Sequence, residues 1–322
     1  MTRAEVRQLF RVRPGQRARL SRRPTEWTAY PDLADVPRDG IKGRAKAFVQ
    51  KNLEALTEAH DRLYASDVHA VLVVLQAMDA AGKDGVIKHV MSGLNPQGCQ
   101  VFSFKRPSDE ELDHNYFWRY TKGLPERGRI GIFNRSYYEE VLVVRVHPEL
   151  LDRQKLPADA RGPDVWKDRY EDINRFERHL TRNGTRIIKF FLHVSKEEQG
   201  RRFLDRIDTP EKNWKFSESD VRERRFWNDY QRAYEDMLSA TSTEWAPWWV
   251  VPADHKWMCR ALVSSILKSE IDALKLKAPS VDGRRRAELA QMREELAAEL
   301  DGGRRRHKRR LASFQTSMIS RR

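Results

Sequence analysis

The sequence predicts an α/β fold: a parallel five-stranded sheet with helices on both faces. Three observations carry that prediction. Five apolar runs rich in Val, Ile and Phe are each followed by a longer segment with helical spacing; the runs are continuous, not alternating; and the first leads straight into a Gly-Lys turn. Continuous apolar strands suit a sheet covered on both faces, and alternation with helices implies parallel pairing.

The elements follow in order. A helix over 42–65 places Phe48, Leu53, Leu56 and Leu63 near one face, suited to packing on the sheet. Strands are predicted at 70–76 (AVLVVLQ), 99–104 (CQVFSF), 129–134 (RIGIFN), 185–194 (TRIIKFFLHV) and 247–252 (PWWVVP). Three helices carry start signals, each a Ser followed three residues later by an acid: Ser108 with Glu111, Ser195 with Glu198, and Ser217 with Asp220. They open SDEELDHNYFWRY, SKEEQGRRFLDRI and SESDVRERRFWNDY. Beyond Pro279, Leu289, Met292, Leu296 and Leu300 recur at helical spacing between glycines, which predicts an amphipathic packing helix.

Composition narrows the class. The 322 residues include 61 Lys and Arg against 47 Asp and Glu, a net charge of +14, with 10% aromatic residues and no apolar run long enough to span a membrane. The N-terminal MTRAEVRQLFRVRPGQRARL is basic with no apolar segment behind it, so export is not expected. Cys99 and Cys259 stand alone, without metal spacing or a disulfide framework, which fits a reducing cytoplasm. The charge excess is terminal: residues 1–23 hold eight Arg and one Glu, residues 283–322 hold twelve basic and five acidic residues, and 24–282 balance at 41 of each. The ends are expected to be solvated arms, with 1–34 as a basic N-terminal arm, 35–278 as the domain and 279–322 as a basic helical extension.

The sharpest chemical signal is VLVVLQAMDAAGKDGVIKHVM, residues 71–91. A buried strand entering a small-residue turn and then a helix is the setting of a phosphate-binding loop, whose amides from Ala80, Ala81, Gly82, Lys83, Asp84 and Gly85 converge on one anion. Two departures from GxxxxGK(S/T) stand out: Ala77 replaces the first Gly, and Asp84 replaces the hydroxyl residue that holds magnesium. Asp79, inside the loop, would repel phosphate unless a cation lay between them, which points to a magnesium ligand; the plainer alternative is that it caps the following helix. Asn134 and Arg135 follow the third strand, at the sheet end where ligands bind. Arg135 there suits stabilisation of a transferring phosphoryl group.

The segments LQAMDAAGKDG, SFKRPSDEELDHNYFWR, GRIGIFNRSYYEEVLVVRVHPE, EKNWKFSESD and APWWVVPADHK resemble the polyphosphate kinase 2 family over residues 35–275. The stretch FNRSYYEEVLVVRVHPE is similar to the class III group, whose members phosphorylate AMP as well as ADP. The resemblance implies a thymidylate-kinase-like three-layer α/β/α sandwich with a helical lid at about 201–232, commonly assembled as a dimer or tetramer. It implies catalytic roles for Asp79, Lys83 and Arg135, magnesium (or manganese) held by Asp79 and Asn134, and a part for Asn134 and Glu139 in nucleotide choice.

The lid holds Arg202, Arg206, Lys212 and Lys215 around Trp214, expected to track polyphosphate with the Trp anchored on the body; Lys105, Arg106 and Arg119 would add charge opposite. The reading is reversible, magnesium-dependent phosphoryl transfer between inorganic polyphosphate and AMP or ADP, giving ADP and ATP, with guanine nucleotides as further acceptors. An ATP-dependent nucleoside monophosphate kinase is the enzymatic alternative. A nucleic-acid-binding protein using its Arg-rich ends is the non-enzymatic one; if residues 24–282 keep all nucleotide chemistry and lose only salt-sensitive DNA or RNA binding, the ends are accessory.

Overall fold

The computed structural model describes residues 3–29 and 40–319. In chain order the helices and strands are α1 (Arg3–Phe10), α2 (Ile41–Ser66), β1 (Ala70–Ala77), α3 (Lys83–Val90), β2 (Cys99–Ser103), α4 (Asp109–Asp113), α5 (Trp118–Thr121), β3 (Ile130–Asn134), α6 (Val143–Val146), α7 (Val165–Arg182), β4 (Thr185–His193), α8 (Lys196–Asp208), α9 (Glu218–Glu223), α10 (Trp227–Thr241), β5 (Trp248–Pro252), α11 (Lys256–Asp272) and α12 (Gly283–Ile319). All five predicted strands form.

They make one parallel sheet in the order β2-β3-β1-β4-β5. Every residue of β1 and β5 is buried, so the sheet is covered on both faces, as the continuous apolar runs require. One layer groups α2, α3 and α11; the other is built on α7 and α10. Phe48, Leu53, Leu56 and Leu63 of α2 are all buried. Beneath the second layer, Lys189 of β4 is fully buried against Glu177 of α7 (Nζ to Oε2, 2.6 Å), with Tyr138 Oη and Thr241 O also within 2.8 Å. A buried charge of this kind persists only when every valence is met.

The start signals hold, with α8 as long as expected and the runs from Ser108 and Ser217 divided into shorter helices. Ser108 and Glu111 make the full capping box, and Ser195 Oγ accepts from Glu198 N. Ser217 caps α9 through Ser219 N, one residue earlier than the spacing suggested. The run from Ser108 breaks after α4 because Asn115 Oδ1 accepts from Phe117 N, a local turn that competes with the helix. The run from Ser217 divides at a tight turn, Arg224–Phe226, between α9 and α10.

The N-terminal segment is packed, contrary to the solvated arm expected from its charge. Val6, Phe10 and Val12 are buried, Val12 N donates to Trp248 O at 2.8 Å, and Arg11 bridges Trp249 antiparallel, so this strap covers the β5 edge. Arg23 turns inward to donate to the carbonyls of Ala18, Arg11 and Phe10 at 2.8, 3.2 and 3.3 Å. Arg23 is therefore structural, while Arg13, Arg17, Arg19 and Arg22 stay exposed. Phe10→Ala is expected to lose about 3–5 kcal/mol, measurable by chemical denaturation; a loss under about 1 kcal/mol would mean the strap is not part of the core. The boundary expected at 34/35 lies outside the described residues.

Ala278–Arg322 forms a separate unit. Its helix α12 runs through Gly302 and Gly303, and Leu289, Met292, Leu296 and Leu300 stand exposed along it. The packing expected of that stripe is not made within the described residues. No helix among them is long and apolar enough to cross a membrane.

Candidate active site

The loop between β1 and α3 runs from Met78 to Gly82. Ala80 and Gly82 both take left-handed backbone (φ 58° and 114°), a conformation that glycine adopts without strain. Gly82 is the N-cap of α3, so Asp79 does not cap it. Ala77, in place of the usual glycine, is the last residue of β1, extended and paired with Leu192 of β4, where a side chain is no obstacle. Lys83 curls back to donate from Nζ to Ala77 O at 2.8 Å. Burial, and then the charge of Arg135, lower its ammonium to about 8, against the pull of Asp79, Glu139 and Asp84.

The adjacent strand supplies the partner. Because β3 pairs with β1, the residues after β3 emerge beside the loop. Arg135, itself left-handed at φ 65°, donates from Nη2 to Asp79 Oδ1 at 2.8 Å, and its Nη1 lies 3.5 Å from Glu139 Oε2. Glu139, the larger influence, and Asp79 together raise the Arg135 pKa over the opposing effect of burial. Asn134 Nδ2 donates to Asp84 Oδ1 at 2.9 Å, while Asn134 Oδ1 is buried and makes no hydrogen bond. Asp79, Lys83, Asp84, Asn134, Arg135 and Glu139 are thus brought together from two neighbouring strand ends.

The cations expected on the polymer divide into two kinds. Arg202 is 5% exposed and does not face solvent: Nη1 donates to Ala80 O and Ala81 O at 3.0 and 2.8 Å, Nη2 donates to Ala253 O and Asp254 O, and Nε pairs with Glu198. It holds the loop backbone from behind, so its expected role on the polymer is corrected. Arg119 is likewise buried, donating to Lys105 O at 2.8 Å, paired with Glu111 and set against Phe104 and Tyr120. Lys105 and Arg106 are exposed; Arg206 lies 3.7 Å from Asp220, Lys212 pairs with Asp205, and Lys215 sits over the Trp214 ring. Trp214 is 78% exposed, so it is not the anchor expected.

Residues to which the sequence gave no role at the site complete the cleft. Gln199, at helical spacing from Ser195 and Arg202, donates from Nε2 to Asp79 O at 2.9 Å. Asp220, Glu223 and Arg224 face Asp79 and Arg135 across the cleft, with Tyr230 and Tyr234 in its wall. Burial, and then the charge of Asp79, raise the Asp220 carboxyl above its usual range. Only the Ser195–Glu198 start signal hinted at α8's inner face.

A parallel sheet whose central strand enters a Gly-Lys loop, with an arginine from the next strand end paired to a loop carboxylate, defines a P-loop kinase-like fold. The chain belongs to the polyphosphate kinase 2 family: the model of Polyphosphate kinase 2 (PPK2) matches residues 42–279. It is 52% identical over 288 residues to an ADP-polyphosphate phosphotransferase of Rhodopseudomonas palustris, covering 89% of this chain and 97% of that protein. It is 44% identical over 271 residues to an AMP/ADP-polyphosphate phosphotransferase of Meiothermus ruber, covering 84% and 94%. Among solved structures, polyphosphate kinase 2 from Arthrobacter aurescens TC1 superposes with a TM-score of 0.79 at 38% identity, covering 91% of this chain and 97% of that one. The α12 extension lies beyond the family match.

Proposed function

We propose that this protein transfers phosphoryl groups reversibly between inorganic polyphosphate and AMP or ADP. The observation that carries the reading is the Asp79–Arg135 pair beside Lys83 at the mouth of a phosphate loop, in a chain whose relatives are named for this transfer. The acceptor is already an anionic phosphate oxygen, so no general base is required. That oxygen bonds to the terminal phosphorus of the polymer, the bridging P–O bond breaks, and the polymer leaves one unit shorter. Lys83 and Arg135 neutralise the transferring group, and the loop amides fix its position.

The oxygen donors suit a hard divalent cation. Asn134 Oδ1 is a buried acceptor without a protein partner, and Asp79 has one oxygen beyond that taken by Arg135. Among the described residues no group of three or more His, Cys, Asp and Glu could hold a metal alone, which fits magnesium shared with substrate phosphates. Asp79 and Asn134 would hold it, and its chemistry is to neutralise phosphate charge. Lys105, Arg106, Arg206, Lys212 and Lys215 remain the candidate contacts to the polymer. Asn134 and Glu139 bear on the choice among AMP, ADP and guanine nucleotides. A cytoplasmic dimer or tetramer, with 201–232 as the lid, completes the proposal.

The test is incubation with AMP or ADP, magnesium and polyphosphate, without ATP. Formation of ADP or ATP supports the reading; no product would favour an ATP-dependent nucleoside monophosphate kinase. Lys83 titrates near 8, below the usual lysine value, so it is charged below that pH and loses its charge as pH rises through it. For polyphosphate, kcat/KM reports the free enzyme and is expected to fall above about pH 8; a flat alkaline profile would count against Lys83 as a phosphate-binding cation.

A further inference from the structure

We infer that Glu223 and Arg224 form a two-sided staple that sets the separation of the two catalytic walls; both are positioning residues. The inference rests on the transfer reading above. One wall is the loop after β1, carrying Asp79. The other is the stretch after β3, carrying Arg135 and Glu139 and ending at His147. These two consecutive residues, at the end of α9 and in the turn that follows, reach one wall each.

Glu223 reaches the second wall. His147 Nε2 lies 3.0 Å from Glu223 Oε2, and Tyr230 Oη donates to the same oxygen at 2.8 Å. Phe226, three residues on, sets its ring edge-on to His147 at 4.8 Å, so the contact is both polar and apolar. Arg224 reaches the first wall. Its Nη1 donates to Gln199 Oε1 at 2.7 Å and to Lys196 O at 2.9 Å, and Gln199 Nε2 donates in turn to Asp79 O at 2.9 Å. The amide of Gln199 thereby relays the position of Arg224 to the backbone of the catalytic acid.

The staple is made of a few polar contacts on partly exposed side chains, with Glu223 34% and His147 18% exposed. Such contacts open easily, which suits an element that must admit a polymer and then close. Closed, it fixes the distance across which Arg135 meets Asp79 and keeps water from the transferring group. Open, the walls lose register, and water competes with the nucleotide: its oxygen bonds to the terminal phosphorus, the bridging P–O bond breaks, the polymer leaves one unit shorter, and orthophosphate and a proton are released.

The experiment compares wild type, Glu223→Ala, His147→Ala, the double variant and Glu223→Gln. It measures transfer to ADP and orthophosphate release from polyphosphate with magnesium. Each alanine variant is expected to lower transfer kcat by about tenfold or more and to raise the share of phosphoryl groups passing to water. The double variant should be no worse than the poorer single one. Glu223→Gln, which keeps an acceptor for His147 and Tyr230, should recover most transfer. An unchanged ratio of hydrolysis to transfer in folded alanine variants, or losses that multiply in the double variant, would overturn the staple. Should an alanine variant fail to fold, Glu223→Gln and His147→Gln carry the same comparison, with the larger ratio change expected for His147→Gln and equal ratios counting against the staple. Wild-type transfer in the same assay upholds the functional reading whatever the variants do; its absence overturns both.

Discussion

Arg135→Ala is expected to lower kcat by about 10³–10⁵-fold, the range for an arginine that stabilises phosphoryl transfer. The guanidinium bridges Asp79 and Glu139, so its removal takes away a transition-state cation and also leaves carboxylates facing Asp220 across the cleft without compensation. The backbone is not the cause of the loss, because alanine at the left-handed φ of 65° is no worse than arginine there. Arg135→Lys should recover only part of the activity, since a point charge cannot span two partners as a planar fork does. Steady-state kinetics with circular dichroism check the result. A folded Arg135→Ala enzyme within tenfold of wild type would remove Arg135 from the chemistry.

Asp79→Asn and Lys83→Ala form the second large expectation, each lowering turnover by about 10²–10³-fold. Asp79→Asn is the sharper change. Asparagine caps a helix as well as aspartate does and can still accept from Arg135, but it cannot neutralise a divalent cation. Loss of activity, with a higher magnesium requirement where activity remains, supports cation binding; near-normal turnover would reduce Asp79 to a positioning group. Lys83→Ala removes the ammonium held 2.8 Å from Ala77 O beneath the loop, and its loss should appear at saturating magnesium as well.

The sheet was legible because its evidence is local. Runs such as AVLVVLQ cannot be exposed on either face, and two of the five are followed directly by a helix with a Ser-x-x-acid start signal. The meeting of Asp79, Lys83 and Arg135 was legible for the same reason: each lies a few residues beyond a strand end, and parallel pairing then brings them together. Charge was the misleading guide. Arg202 and Arg119 look in sequence like neighbours of Lys212 and Lys105, yet they are spent on backbone carbonyls, because a long side chain near a buried loop is drawn to unpaired acceptors.

The sequence by itself determined the α/β class, the five strands, the Gly-Lys loop after β1 and the arginine opposite it, since each follows from patterns within a short stretch of chain. Tertiary structure alone decided which cations face the cleft, that a basic N-terminus serves as a strap over β5, and that Gln199, Arg224, Glu223 and His147 tie two walls together. Those choices depend on contacts between residues tens of positions apart, whose distances are set by packing and leave no periodic trace in the chain.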